Sequence, residues 1–372
     1  MKEPRPALEN LCCLNVQCNA YGQRGQANLK VRKIYGVDRI RYLRCGCCGE
    51  EFSERKGTAL FNCKISEAQA VSVMEHLDSG CGLNATARLV GVSKDAVGRL
   101  LRVGGQISYQ LHDRLVRDVQ PVALQFDEKW SYVAKKQRHV TAQDDPSQRG
   151  DYWDANSLDP QSKLLVSLVP GHRTTRTIHQ VVADAAQRLA CDAGLPALFT
   201  DGEPTYREAI VTTFGRAYPV PRRSTRGRPP APLVRIPQGL VYAQVVKHRQ
   251  GRRIQQVEIR PIFGKGKLAQ VVADLGWTKA NTSAIERFNL TDRMRNARKG
   301  RKTLCFSRRT DRHDALSWIG AVRYNFHHPH RSLRQPTQEG RWQQRTPAMA
   351  AGIADHRYSS LELMRLCPVG LR

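Results

Sequence analysis

The sequence lacks long apolar runs and is poor in acid. None of its hydrophobic stretches reaches the roughly 18 residues that cross a bilayer, so a membrane span is not expected. The opening residues MKEPRPALEN carry no apolar signal segment, so secretion is not expected either. Asp and Glu total 33 against 60 Lys and Arg, a formal charge of +27. A chain so short of acid suits a polyanion partner, and with no membrane segment nucleic acid is the expected one.

What the chain does have begins with eleven cysteines. In a basic, non-secreted chain they argue for metal ligands and reduced thiols over a disulfide framework. Cys13 and Cys18 lie in CLNVQC, and Cys45 and Cys48 in CGCC. Zinc takes four tetrahedral thiolate or imidazole ligands, usually from two close pairs in tight turns. The intervening YGQRGQANLKVRKIYGVDRIRYLR alternates basic and apolar residues, as a small ribbon of strands does. We therefore expect a zinc-ribbon-like module over residues 1–62 holding a structural Zn²⁺. Cys12 and Cys47 leave the register open, and a set of buried free thiols is the plainer alternative.

Over residues 63–118 the pattern is helical. ISEAQAVSVMEHLDSG has apolar residues at helical spacing, and LNATARLVGVSKDAVGRLLR follows. Gly91 suits a turn, Ser93 can cap the next helix, and Val90, Val92, Val97 and Leu100 supply a buried face. This spacing predicts a helix-turn-helix whose second helix, about Ser93 to Arg102, enters the major groove. Lys94 and Arg99 are its candidate base or phosphate contacts.

After RDVQP the pattern changes to strands, in the order β-β-β-α-β, with a later helix carrying Glu286. Asp127 ends the run PVALQFD, and Asp201 ends LPALFTD. Carboxylates at strand ends are natural ligand positions, because the backbone opens to solvent there. Each alone reads more often as a turn or cap residue. As a set, Asp127, Asp201 and Glu286 can converge on two divalent cations, Mg²⁺ or Mn²⁺, as phosphoryl transfer requires.

Three blocks carry a family resemblance: DEKWSYV (Asp127 to Val133), TDGEPTY (Thr200 to Tyr206) and IERFNLTDRMRNARKGRKTLCFSR (Ile285 to Arg308). They resemble the catalytic blocks of DDE transposases of bacterial insertion sequences, most of all the insertion-sequence-one type. That type also begins with a cysteine module and a helix-turn-helix. The resemblance implies an RNase H-like mixed α/β sheet flanked by helices over residues 119–335, with Asp127, Asp201 and Glu286 as its metal ligands. A proline-rich basic loop and a β-hairpin then read as an insertion at about 207–280. Within it, Arg226 and Arg228 in RGRPP look like the core of a minor-groove hook, or simply a solvated basic loop. Residues 336–372 read as a C-terminal tail. His327, His328 and His330 are spaced poorly for chelation and point to structural or phosphate contacts.

The expected function is that of a DNA transposase that binds terminal inverted repeats and catalyses metal-dependent strand cleavage and transfer. Arg293, Arg298, Lys299, Arg301 and Lys302 would grip the phosphate backbone beside Glu286. The expected partners are double-stranded element ends and target DNA, with at least a dimer joining two ends, in the bacterial cytoplasm at the nucleoid. The alternatives are an RNase H-like nuclease or resolvase and a non-catalytic DNA-binding regulator.

Overall fold

The computed structural model describes residues 4–220, 232–251 and 253–371. Arg226 and Arg228 lie outside the described residues. The chain divides into two compact units. One comprises Met1–Val116, Tyr132–Gly150 and Asp292–Arg372; the other comprises Arg117–Ser131 and Asp151–Thr291.

The first unit begins with a three-stranded antiparallel sheet, β1 (Leu29–Tyr35), β2 (Ile40–Cys45) and β3 (Glu51–Ser53), in that order. Its core is small: Leu29, Leu43 and Phe52 pack with Cys13, Cys18 and Cys45. A core of that size gives little apolar burial, and the cysteines occupy its centre. Three helices follow. α1 (Glu67–Asp78) opens on a capping box formed by Ser66 and Gln69. α2 (Leu83–Val90) ends at Gly91, whose φ of 70° is left-handed and favours glycine. α3 (Lys94–Leu115) starts where Ser93 Oγ accepts the Ala96 N–H at 3.1 Å. Val97 and Leu100 are fully buried against Val73 and Leu77, with Val90 and Val92 packed at the edge.

α3 runs well beyond the expected end at Arg102. Gly104 and Gly105 lie just past that point, and a helical glycine costs about 1 kcal/mol relative to alanine. Tertiary packing overrides that cost. A Cβ on Gly105 would fall 2.5 Å from Ala315 Cα, so the glycine lets a second helix of the same unit approach closely.

The second unit is built on a six-stranded mixed sheet. Its strands are β4 (Ala123–Val133), β5 (Gly150–Leu158), β6 (Leu165–Gly171), β7 (Ala197–Thr200), β10 (Tyr242–Gln250) and β11 (Arg253–Phe263), with β8 (Arg216–Tyr218) and β9 (Leu233–Arg235) forming a separate small ribbon. The order across the sheet is β11-β10-β7-β4-β5-β6. β4, β7 and β10 run parallel; β5–β6 and β10–β11 are antiparallel. Four helices accompany it: α4 (Thr175–Gln187), α5 (Thr205–Phe214), α6 (Lys265–Asp274) and α7 (Ser283–Arg295).

The stretch expected as an insertion at 207–280 is only partly peripheral. Its β10 pairs with β7 through Tyr242↔Leu198, Ala243↔Phe199 and Gln244↔Thr200. Leu240, Val241, Tyr242, Ala243 and Val245 are all buried, as a strand covered on both faces requires. The segment therefore supplies an interior strand of the sheet.

The remainder of the first unit contains α8 (Thr310–Val322), α9 (Pro347–Ala350) and α10 (Ser360–Arg365). α8 lies along α3, with Ala315, Leu316 and Ile319 joining the core of α1 and α3. His327 Nδ1 pairs with Tyr358 O at 2.8 Å, His328 Nε2 with Asp78 at 2.5 Å and His330 Nδ1 with Ser332 Oγ at 2.8 Å. The three histidines thus serve separate local contacts.

Candidate metal centres and nucleic-acid contacts

At the N-terminus, Cys13, Cys18, Cys45 and Cys48 bring their sulfurs within 4.8 Å of one another. Cys13 Sγ is 3.7 Å from Cys48 Sγ, and Cys18 Sγ is 3.9 Å from Cys45 Sγ. These are non-bonded separations, and all four thiols are free. A tetrahedral zinc with Zn–S bonds of about 2.3 Å would space its sulfurs by about 3.8 Å. The donor set therefore fits such an ion in size and chemistry. Burial opposes ionisation of Cys45, yet the backbone N–H groups of Cys48 and Cys47 bring its thiol down to about 7. Asn28 Nδ2 donates to the same sulfur at 3.3 Å, and the Ala20 N–H to Cys18 Sγ at 3.4 Å. Such donors orient thiolates. Cys12 instead donates to Val369 O, and Cys47 is exposed.

The carboxylates meet where the parallel β4–β7 pairing ends; Asp127 was expected at a strand end but lies inside β4, which runs on to Val133 to pair with β5. The β4–β7 register pairs Ala123 with Ala197, Leu124 with Leu198 and Gln125 with Phe199. Two residues further along each chain lie Asp127 and Asp201, which the same register sets level on neighbouring strands. α7 is brought to this end by Gln125. Its side-chain amide donates to Asn281 O at 2.8 Å and accepts the Ile285 N–H at 2.9 Å, occupying one of the helix's unpaired first-turn donors. Ile285, Phe288 and Asn289 form the buried helix face, at offsets of three and four. Asn289 then donates to Asp127 Oδ2 at 2.8 Å, and Asn156 donates to Asn289 Oδ1 at 3.1 Å.

Glu286 is placed differently from Asp127 and Asp201. It is hydrogen-bonded to Lys247 of β10, and Thr282 Oγ1 donates to it at 2.5 Å. The tight cluster of carboxylates is Asp127, Glu128 and Asp201, with one oxygen from each within 4.8 Å of the others. Glu286 stands close enough for its charge to act on Asp127. Burial first, then the charges of Asp201 and Glu286, lift the Asp127 carboxyl to about 6. Burial and Asp201 lift Glu128 to about 7. A site that crowds hard oxygen donors until they resist ionisation has the chemistry of a divalent-cation seat.

Glu128 was not singled out from the sequence. The only signal was its place beside Asp127 in DEKW, and strand alternation argues against two neighbours reaching one site. It joins because Asp201, one residue past the end of β7, brings a carboxylate oxygen within 4.8 Å of one from each neighbour.

The basic residues divide by burial. Lys94, Arg301 and Lys302 are exposed, and Arg293 is half-buried. Arg99 is turned inward, donating to Phe61 O at 2.5 Å. Arg298 and Lys299 were expected to grip the phosphate backbone; both side chains are buried. Lys299 Nζ lies 3.0 Å from Asp292, and burial pushes the Arg298 guanidinium down in pKa. The short 3₁₀ turn Ala297–Lys299 folds both side chains into their own unit.

No protein-family model matches the chain, and no curated protein does. Among solved structures it is similar to the crystal structure of the Mos1 strand transfer complex, at 14% identity and a TM-score of 0.17. That match covers 40% of this chain and 56% of the other, so the chain spans little more than half of that neighbour. A pre-cleavage Mos1 transpososome matches at 11% identity over 70% of this chain and 75% of that one, also with a TM-score of 0.17. Scores this low do not establish a shared fold.

Proposed function

We propose that the chain is a DNA transposase of the DDE type, akin to the insertion-sequence-one group, with an RNase H-like catalytic domain. The observation that carries the reading is the level placement of Asp127 and Asp201 where the parallel β4–β7 pairing ends, with the Glu286 helix pinned beside them by Gln125 and Asn289. The strand order supports it. From the first strand of the sheet to the fifth, the arrangement is three consecutive strands, then two parallel ones added on the other side of the first.

Asp127, Asp201 and Glu286 would hold two divalent cations, Mg²⁺ or Mn²⁺, whose chemistry when bound is to activate the attacking oxygen and stabilise the leaving one. The protein's part is positional. Asn289 and Asn156 fix the Asp127 carboxylate, and Gln125 fixes the helix that carries Glu286. Water, and then a 3′-hydroxyl, serves as nucleophile, so no covalent bond to a side chain is required. The N-terminal cysteines would hold a structural Zn²⁺ in a ribbon module, and α2–α3 would read the inverted repeats as a helix-turn-helix, with Lys94 at its exposed leading end. Arg301 and Lys302 would hold phosphates. Joining two element ends calls for at least a dimer.

The test is Asp127→Asn on labelled element ends with Mg²⁺ or Mn²⁺. Cleavage and joined products should vanish while end binding persists. Retained cleavage sinks the assignment, and cleavage by the native chain without any joined product favours a nuclease or resolvase.

A further inference from the structure

We propose that Glu128 is a fourth carboxylate of the cation site, forming with Asp127 and Asp201 a seat that the first divalent cation enters before Glu286 takes part. This role rests on the carboxylate centre being a divalent-cation site, as proposed above.

Three observations lead to it. One oxygen each from Asp127, Glu128 and Asp201 lies within 4.8 Å of the others, a spacing that one cation could bridge. The Glu128 side chain is only 4% exposed, and among the described residues its Oε1 has no hydrogen-bond partner. Arg173 approaches only the other oxygen, at 3.5 Å, and is itself engaged by Glu203 and stacked over Trp153. The fully buried Tyr206 hydroxyl lies close enough to lower the Glu128 pKa, but outside normal hydrogen-bond geometry. A buried carboxylate oxygen left open beside two other carboxylates is out of keeping with a purely structural ion pair. A cation would satisfy it.

The order of entry follows from where Glu286 is held. Lys247 pairs with Glu286, so the protein already supplies that carboxylate with a cation. Among the described residues, the other three have no such cation of their own apart from Arg173 at the edge. Asn289 of α7 holds Asp127, Tyr206 of α5 acts on Glu128, and Asp201 stands level with Asp127. The seat thus exists before Glu286 leaves Lys247.

The experiment titrates the full chain with Mn²⁺ alone, without DNA, and reads bound ion by electron paramagnetic resonance. Glu128→Gln should weaken Mn²⁺ binding by about tenfold or more, whereas Glu286→Gln should change it by less than about threefold. Circular dichroism melts confirm that each variant is folded. Should Glu128→Gln fail to fold, Glu128→Asp, which keeps the charge but shortens its reach, decides instead; it too should weaken binding. Wild-type affinity in the Glu128 variant, alongside loss in Asp127→Asn, overturns the role of Glu128 and leaves the metal reading standing. Equal losses in Glu128→Gln and Glu286→Gln overturn the order of entry. No Mn²⁺ binding by the native chain, or full binding by Asp127→Asn, overturns the metal reading and this inference with it.

Discussion

Asn289 on α7 donates to Asp127 Oδ2 on β4 at 2.8 Å, joining residues 162 positions apart. Asn156 orients the Asn289 amide by donating to its oxygen, so the Asp127 carboxylate is held from behind by two buried side chains. Asn289→Ala should slow metal-dependent strand cleavage by about 10- to 100-fold, the usual effect of losing a group that orients a metal ligand. Binding to DNA ends, measured by gel shift, should be unchanged.

The crowded carboxylates make the chain sensitive to pH. Asp127 rises from 3.8 to about 6 and Glu128 from 4.5 to about 7. Between those limits the folded chain keeps protons that the unfolded chain has released. Its stability therefore falls as pH rises through this window. A divalent cation takes the protons' place. Mg²⁺ should accordingly raise the melting temperature more at about pH 8 than at about pH 5, in scans that follow the second unit.

The cysteine cluster predicts which thiols matter. Purified protein should carry zinc by elemental analysis, and Cys48→Ser should lose it. Cys47→Ser should keep it, because Cys47 lies exposed beyond the cluster. Chelation should destabilise the β1–β3 module, whose own apolar core is small.

Neighbouring basic positions should behave oppositely. Replacing Arg301 and Lys302 by alanine should weaken DNA binding and flatten its salt dependence, with little change in melting temperature, since both are exposed. Lys299→Ala should instead destabilise the fold by about 3 kcal/mol, because Lys299 is buried and pairs with Asp292. Thermal melts and salt titrations of both variants separate the two effects.

Much of the local structure was legible because it is encoded locally. The Ser93 cap, the Gly91 turn and the apolar spacing of Val97 and Leu100 mark α2 and α3 without reference to anything distant. Cys13, Cys18, Cys45 and Cys48 were selected by spacing, and Asp127 and Asp201 by their places at the ends of apolar runs. The length of α3 was not legible, because its glycines make sense only against Ala315. Nor was the burial of Arg298 and Lys299, since a run of cations looks the same whether it faces solvent or folds back on an aspartate.

The sequence by itself determined the basic charge, the paired cysteines, the aspartates that close two apolar runs and the helix that bears Glu286, all of which depend on composition and short-range periodicity. Tertiary structure alone decided which side chains converge. Strand register set Asp127 level with Asp201, Lys247 paired with Glu286, and Glu128 joined the two aspartates in one cluster. Periodicity assigns a residue to a face of its own element. Which faces meet depends on long-range pairing between strands and helices.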